Sequence, residues 1–469
     1  MRVSLDRLWL VIAIGLPVLV ALLVPMPAVD LAYQVRAGDE ILRGAAIPAS
    51  DTWTFTVAGT AWTDQQWLAQ VLLALGYRAG GWELLSVLRA GLVGLALAFS
   101  IGASMARGAG TRMAAILALL VFALAAPALA LRPQLFGITI FAGLLWLIAT
   151  RREHPSRYWV APVLVLLWAN LHGSFVLAPL VLGYAFLDDV ARGRPSRQSL
   201  AVLLLGIAAT LVNPFGPGVW GYAAGIGANP AITDRVSEWQ RTTPFTVPGA
   251  LFYASAIGTL LVMVRGRTAL RWPDWLWTAG MLAIGVWTVR GLAWWPFAAA
   301  FVVAAALPVL LAPRSAAAAA RSARPSQIAA IIAMLFMLAI VTSLPWWRPV
   351  DPLTGRVGLL TYSPSGLAQA VRAATKPGDR VFLPQTWASW FEWAAPAPDY
   401  FLDSRFELFP DDVWNDYDTI ARGGPEAQAA LERWQANVVV LPADAVPLPG
   451  AWITVHADAD GALLVRSSP

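Results

Sequence analysis

The chain contains no cysteine, which removes disulfides, iron–sulfur clusters and thiol chemistry together. The compartment stays open, since an exported domain can fold without disulfides. Charge is scarce as well. Asp, Glu, Lys and Arg make up 13% of the 469 residues, against about 25% in soluble globular chains. A deficit of that size means that much of the surface faces lipid. Histidine is rarer still, with three in the chain and none within helical spacing of His172, so a histidine-based metal site is disfavoured. A Walker loop, a Ser-His-Asp arrangement and a paired-Cys motif are all missing.

Apolar residues fill the gap, at 58% of the chain and a mean hydropathy of +0.61. Runs that can span a bilayer lie at about 8–26, 82–104, 113–130, 135–150, 158–171, 174–188, 198–212, 250–264, 273–289, 292–312 and 327–345, several of them near the short limit of roughly 17 residues. The formal charge of +5 does not point to nucleic acid, because the arginines sit in short loops and form no basic stripe. Arg2 and Arg7, Arg107 and Arg112, Arg151 and Arg152, the 192–197 cluster, the 265–271 cluster and Arg314, Arg321 and Arg324 fall in alternate loops. The positive-inside rule makes those loops cytoplasmic. The expected protein is then a multi-pass membrane protein, amino terminus inside and carboxy terminus outside. A cleaved signal peptide is the alternative for the first run, with Arg2 and Arg7 as n-region and 25–28 as cleavage region. The length of that run and the many spans after it favour a span.

Two parts are expected: 1–345, a transmembrane helix bundle with a long first outer loop at 27–81, and 346–469, a small extracytoplasmic α/β domain. The stretch 312–327, "APRSAAAAARSARPSQ", reads as a low-complexity linker. Of the 28 acidic residues, 15 lie after position 350. There "RVFLPQ" (380–385), "DYFLDS" (399–404) and "NVVVLP" (437–442) predict strands, 365–375 and 425–436 predict helices, and 452–466 predicts a hairpin turning at Asp460-Gly461. In the first outer loop, 30–44 and 64–80 have the spacing of amphipathic helices lying on the membrane face.

Polar residues at the outer ends of spans are the candidates for chemistry. The apolar run 166–175, "LLWANLHGSF", breaks at Asn170 and His172, where an outer hairpin meets water or a wet cavity. Asp30 directly follows the first span; it serves either as a helix N-terminal carboxylate or as a general base whose pKa burial would raise. Arg132 and Arg290 are the arginines of short outer turns, suited to binding phosphate through a planar fork or to snorkelling. Glu238 and Trp239 fall in the next outer loop. Most of the 24 tryptophans read as interfacial belt residues; Trp53, Trp62, Trp67, Trp239, Trp387 and Trp390 offer flat faces for sugar rings.

The segments "DLAYQVRAG", "IPASDTWTFTVAGTAWTDQQWLAQ", "LRPQLF", "LWANLHGSF", "NPFG", "SEWQ", "GDRVFLPQTWASWF" and "YFLDSRFELF", in that order, resemble a family of bacterial multi-pass proteins similar to GT-C glycosyltransferases. The resemblance runs nearly end to end. Its layout is similar to that of protein O-mannosyltransferases and oligosaccharyltransferases, which use a first-loop acid and a polyprenyl-phosphate-linked sugar donor. It implies a place in the bacterial cytoplasmic membrane, and that Asp30 is the base. Two departures stand out: Tyr33-Gln34 replaces a Trp-His pair, and Gln65-Gln66 replaces His-Glu. The missing carboxylate at Gln66 leaves Asp64 as the second acid nearby.

The expected fold is mainly α, a GT-C-like bundle of about eleven spans with the α/β domain. The expected function is an inverting transfer of sugar from polyprenyl phosphate to an acceptor on the outer face. Catalytic candidates are Asp30 and Asp64; substrate-binding candidates are Arg132, Asn170, His172, Glu238 and Arg290, with Asp30, Arg132, His172 and Arg290 expected to line one pocket. A divalent metal has no ligand motif to support it. Membrane lipids and a glycan, lipid or protein acceptor are the partners, and nucleic acid is not. Two alternatives stand: a non-catalytic protein that binds lipid-linked sugar or assembles an envelope complex, favoured by Gln34 and Gln66, and a lipid or sugar-lipid transporter. Neither donor sugar nor acceptor is readable.

Overall fold

The computed structural model describes residues 3–44, 46–311, 324–348, 358–449 and 452–467. Most of the expected linker at 312–327 therefore lies outside the described residues. The chain divides into two compact units. Met1–Val24, Trp82–Ala223 and Val236–Arg348 form the first; Pro25–Gly81, Ala224–Arg235 and Pro349–Pro469 form the second.

The first unit is almost wholly helical, and the sequence punctuates its helices. Proline occupies a first-turn position in Pro133–Thr150, Ala161–Leu171, Ala178–Ala191, Val247–Arg265, Trp272–Trp287 and Trp295–Leu310, where its missing N–H costs nothing and its fixed φ suits the helix. Ser196 and Thr246 cap the helices that follow them, accepting from Ser199 N at 3.2 Å and Gly249 N at 3.2 Å. Each of the eleven apolar runs is helical. Among the described residues, six helices are long and apolar enough to cross a membrane: Leu5–Leu23, Trp67–Ala106, Thr111–Ala128, Pro133–Thr150, Gly173–Ala191 and Val247–Arg265. The helices in the other runs are 11 to 16 residues long. The Trp67–Ala106 span is two helices joined at Gly80-Gly81, where Gly81 has φ 63° and ψ −159°, a conformation open only to glycine.

Pro133–Thr150 is the central helix, with 83% of its apolar window buried. Its Phe141 ring meets Trp168 at 6.3 Å, Trp277 at 6.2 Å and Trp294 at 5.4 Å between centroids. Such pairs contribute about 0.5–1.5 kcal/mol each. In lipid that packing, and not exclusion of water, is what holds helices together.

The second unit carries a five-stranded mixed sheet in the order Asp399–Tyr400, Arg380–Phe382, Val438–Pro442, Gly461–Arg466, Trp452–Ala457. The first three strands are parallel and the last two antiparallel. All five lie where alternation and β-branching place them in the sequence. The hairpin turns at 458–460, where Asp458 Oδ1 accepts from Asp460 N at 2.9 Å and Gly461 N at 3.3 Å. Ser365–Ala374 and Pro425–Arg433 are the expected helices; Gln385–Ala394 and Asp411–Arg422 are additional ones.

The 25–81 segment belongs to this unit and is more than a membrane-surface loop. Ala28–Gly44 packs along Gln385–Ala394, and Tyr33 N donates to Ser389 Oγ at 2.8 Å. Residues 53–55 extend the sheet edge: Tyr400 N donates to Trp53 O at 2.9 Å and Phe55 N to Tyr400 O at 3.0 Å. The tie is electrostatic. Arg405, 2% exposed, pairs with Asp51 and with Asp403, its Nε lying 2.9 Å from Asp403 Oδ2. Its guanidinium lies 4.3 Å from the Trp53 ring centre and 4.6 Å from that of Trp62.

Replacing Arg405 with Met would leave two buried carboxylates uncompensated, a loss of about 3–5 kcal/mol. Tryptophan-fluorescence unfolding of the full chain in detergent should show it as a clear fall in midpoint; a change below about 1 kcal/mol would mean that the trio is not a structural tie.

Candidate functional site

The sequence candidates fall into two groups, one in each unit. In the first unit, Arg132 precedes the central helix, and Glu238 lies in the Ser237–Trp239 turn. Arg290 lies in the Val289–Ala293 turn. Arg132 Nη1 donates to Glu238 Oε1 at 2.8 Å, and Arg290 Nε lies 3.9 Å from Glu238 Oε2. The Arg290 guanidinium also sits 4.9 Å from the Trp239 ring centre. Burial raises the Glu238 pKa, but the charges of Arg132 and Arg290 outweigh it and hold the carboxyl below its ordinary value. The three side chains line a cavity of about 90 Å³ with Gln134 and with apolar residues that include Leu124 and Pro127. Two guanidiniums and one carboxylate leave a net charge of +1 against an apolar face.

His172, 7% exposed, is a neutral member of the same unit. Burial, helped by the charge of Arg290, lowers its pKa to about 3. Ser174 N donates to His172 Nδ1 at 3.1 Å, Ser174 Oγ lies 2.7 Å from the same nitrogen, and Trp168 Nε1 donates to Ser174 Oγ at 2.9 Å. Nδ1 is thus an acceptor, which assigns the proton to Nε2. His172 can donate one hydrogen bond and does not act as a cation. Asn170 is committed elsewhere. Its Nδ2 donates to Leu166 O at 2.8 Å and Val212 O at 2.9 Å, tying the turn to the end of the neighbouring helix.

In the second unit, Asp30 occupies the first turn of Ala28–Gly44, the position that suits a carboxylate against the helix dipole. Asp64 is 3% exposed. Its Oδ1 accepts from Gln70 Nε2 at 2.7 Å. Burial pushes its pKa up to about 7, against opposing effects of the Gln70 hydrogen bond and the Arg405 charge. Gln34 Nε2 donates to the Tyr33 hydroxyl at 2.6 Å and to Gln66 Oε1 at 3.5 Å. Burial raises the Tyr33 pKa well above 10, and the charges of Asp30, Glu407, Asp403 and Asp64 add to it. Asp64 Oδ2, Gln34 Oε1 and Gln70 Oε1 are buried with no donor among the described residues. Three buried acceptors in one cluster suit a ligand rich in hydroxyl donors. A divalent cation needs several oxygen ligands with carboxylates among them, and among the described residues no three His, Asp or Glu side chains come together. The residues present do not make up such a site.

Several contributors were not legible in sequence. Gln70 stands beside Asp64 only because one helical turn intervenes, and Ser174 fixes the His172 tautomer. Trp53 and Trp62, expected as sugar-stacking faces, are instead 3% and 5% exposed and enclose Arg405; a buried guanidinium claims their faces. Trp390 is 7% exposed, and Trp239 lies against Arg290.

The raised Asp64 pKa predicts a pH dependence of stability. The folded state holds this proton more tightly than the unfolded state, so the stabilisation is complete below about pH 4. It is lost as pH rises through about 7, by roughly 4 kcal/mol at most. Asp64→Asn should flatten the unfolding midpoint between those values. Parallel curves for the two proteins would show that Asp64 titrates at its ordinary value.

No protein-family model matches the chain, and no curated protein matches it in sequence. Solved structures do match. The oligosaccharyltransferase of Archaeoglobus fulgidus aligns with a TM-score of 0.61 at 14% identity, over 93% of this chain and 69% of that one. The mycobacterial arabinofuranosyltransferase AftD aligns at 0.59 and 16% identity over the whole of this chain, which spans 41% of its length. ArnT from Cupriavidus metallidurans bound to undecaprenyl phosphate aligns at 0.51 and 14% identity over 98% of both chains. On this likeness and on its apolar helices, the chain is a multi-pass membrane protein with the fold that GT-C glycosyltransferases share.

Proposed function

We propose that the chain is an inverting glycosyltransferase that takes a sugar from a polyprenyl-phosphate donor at the outer face of the bacterial cytoplasmic membrane. The observation that carries this reading is the Arg132–Glu238–Arg290 cavity, which sets a net positive polar edge against an apolar wall. A sugar phosphodiester carries one negative charge, and the departing polyprenyl phosphate gains a second. A net +1 site matches the donor. As negative charge builds on the leaving oxygen, the guanidinium hydrogen bonds strengthen, which favours the transition state over the bound ground state. Glu238 keeps both forks oriented before the donor arrives.

The acceptor hydroxyl attacks the anomeric carbon in line, its O–C bond forming as the C–O bond to phosphate breaks. Asp30 takes the hydroxyl proton. Asp64, Gln34 and Gln70 offer the acceptor their buried oxygens, and His172 offers an Nε2–H donor to sugar or phosphate. The amides at Gln34 and Gln66 also support a second reading, a protein that binds sugar-lipid without transferring it.

Transfer from a native sugar-lipid pool, followed by mass spectrometry, separates the two. Asp30→Asn should lower turnover by roughly 10²–10⁴-fold and leave donor binding nearly unchanged. Arg290→Lys keeps charge but loses the fork, and should weaken donor binding as well as rate. Full transfer by Asp30→Asn would exclude this base, and donor binding by wild type with no transfer would favour the non-catalytic reading.

Orientation is tested on the same cysteine-free chain. A cysteine at Asp412 should react with an impermeant thiol reagent on intact cells, and one at Arg267 only after lysis. The reverse pattern would invert the topology.

A further inference from the structure

The end of the first unit away from Arg132 carries a second set of arginines. The central helix begins beside Arg132 and ends at Arg151, and its 18 residues separate the two by roughly 27 Å at about 1.5 Å per residue. Arg151 Nη2 donates to Asp188 at 2.7 Å and Asp189 at 2.8 Å. Arg152 reaches the same pair at 3.3 and 2.5 Å, Arg192 reaches Asp188 at 3.1 Å, and Arg271 lies 3.9 Å from Asp188. Arg107 pairs with Asp274 at 2.5 Å.

Helix pairing explains part of this cluster. Arg151 with Asp188 and Asp189 already joins the central helix to Ala178–Ala191, and all three side chains are under 10% exposed. Three further guanidiniums crowd the same two carboxylates while remaining 42%, 29% and 39% exposed at Arg152, Arg192 and Arg271. With Arg194 they line a cavity of about 730 Å³. An adjoining cavity of about 260 Å³ shares Arg151, Arg152, Arg192 and Arg271 and adds Arg107 and Glu153. Six arginines face four carboxylates, an excess of two positive charges. Two more features point the same way. Arg151 Nε is buried with no acceptor among the described residues. The first turn of Arg197–Ala209 contributes Gln198 and Ser199 to the wall, and a helix start favours anions.

We propose that this arginine cavity binds a phosphate group, carried by an anionic lipid headgroup or free in solution, at the membrane face remote from Arg132 and Arg290. Basic pockets between helices on a cytoplasmic face take phosphate headgroups by this chemistry. The guanidinium excess and the cavity's placement at a helix-bundle end are what the ligand would recognise, independently of the transfer reaction.

The test uses the delipidated full-length protein. Native mass spectrometry would compare cardiolipin and phosphatidylglycerol with phosphatidylcholine, and thermal unfolding would be followed against inorganic phosphate. The Arg152→Gln/Arg271→Gln variant removes two partly exposed cavity arginines that face the Asp188–Asp189 pair. Arg265→Gln/Arg267→Gln removes the same charge from exposed positions outside both cavities. The cavity variant should bind the anionic probe at least about tenfold more weakly and the control variant should match wild type. Loss only with lipid assigns a headgroup; loss of phosphate-dependent stabilisation assigns the free ion. Equal loss in both variants, or wild-type binding no stronger to either anionic probe than to phosphatidylcholine, would overturn the site. If the double variant elutes misfolded, Arg271→Gln alone carries the same comparison.

Discussion

A single buried guanidinium organises the second unit. Arg405 neutralises Asp51 and Asp403, and the Trp53 and Trp62 rings pack against its guanidinium. Asp51 in turn accepts from Thr54 Oγ1 at 2.6 Å and Trp53 N at 3.3 Å, which shapes residues 51–54 so that the next peptide groups pair with Tyr400. A lysine would supply charge without the planar faces or the fork. A segment that follows a membrane helix, and has little core of its own, thereby becomes an edge of the sheet. The polar cluster around Tyr33 rests on the same frame through Ser389, and that support is what precise positioning of acids requires.

Carboxyl groups in this protein are sorted by their neighbours. Asp64 is pushed up to about 7 by burial, and Glu392, wholly buried and close to the charge of Asp403, is pushed up as well. Glu238 goes the other way because two arginines face it. One group can therefore exchange a proton near neutral pH, one is shifted toward its protonated form and one is held ionised. Environments that push like groups apart are how a fold separates acid, base and electrostatic roles. His172 completes the set: its low pKa removes it from proton exchange and leaves a fixed donor.

Much of this architecture is legible in sequence because it follows from periodicity. Apolar runs give the helices, prolines their starts, and "NVVVLP" and the Asp460-Gly461 turn the sheet. The helix Gln385–Ala394 was not legible, since "QTWASWFEWA" reads as loop tryptophans until Ala28–Gly44 supplies the helix it packs along. The site candidates are legible one by one as polar residues at span ends. Their partners are not. Glu238 and Arg290 are separated by about fifty residues of mostly apolar chain, and nothing local signals that a carboxylate awaits the arginine. Asn170 shows the converse: an amide that looks poised for substrate spends its donors on the backbone carbonyls of Leu166 and Val212.

The glutamines at 34 and 66 bring chemistry of their own. An amide keeps the shape and one acceptor of a carboxylate while adding donors and removing charge. Gln34 uses its donors on the Tyr33 hydroxyl and Gln66, so its buried oxygen is left as an acceptor. With a carboxylate at position 66, like-charge repulsion would drive Asp64 further toward its protonated form. With amides, the acid rises only as far as burial takes it, to about 7, where it still exchanges protons. The two amides therefore leave a neutral, acceptor-rich cluster that suits hydroxyl donors better than cations. A cluster of that kind selects its ligand by hydrogen-bond geometry, since every unmet acceptor it buries weakens the fit of a poorer donor.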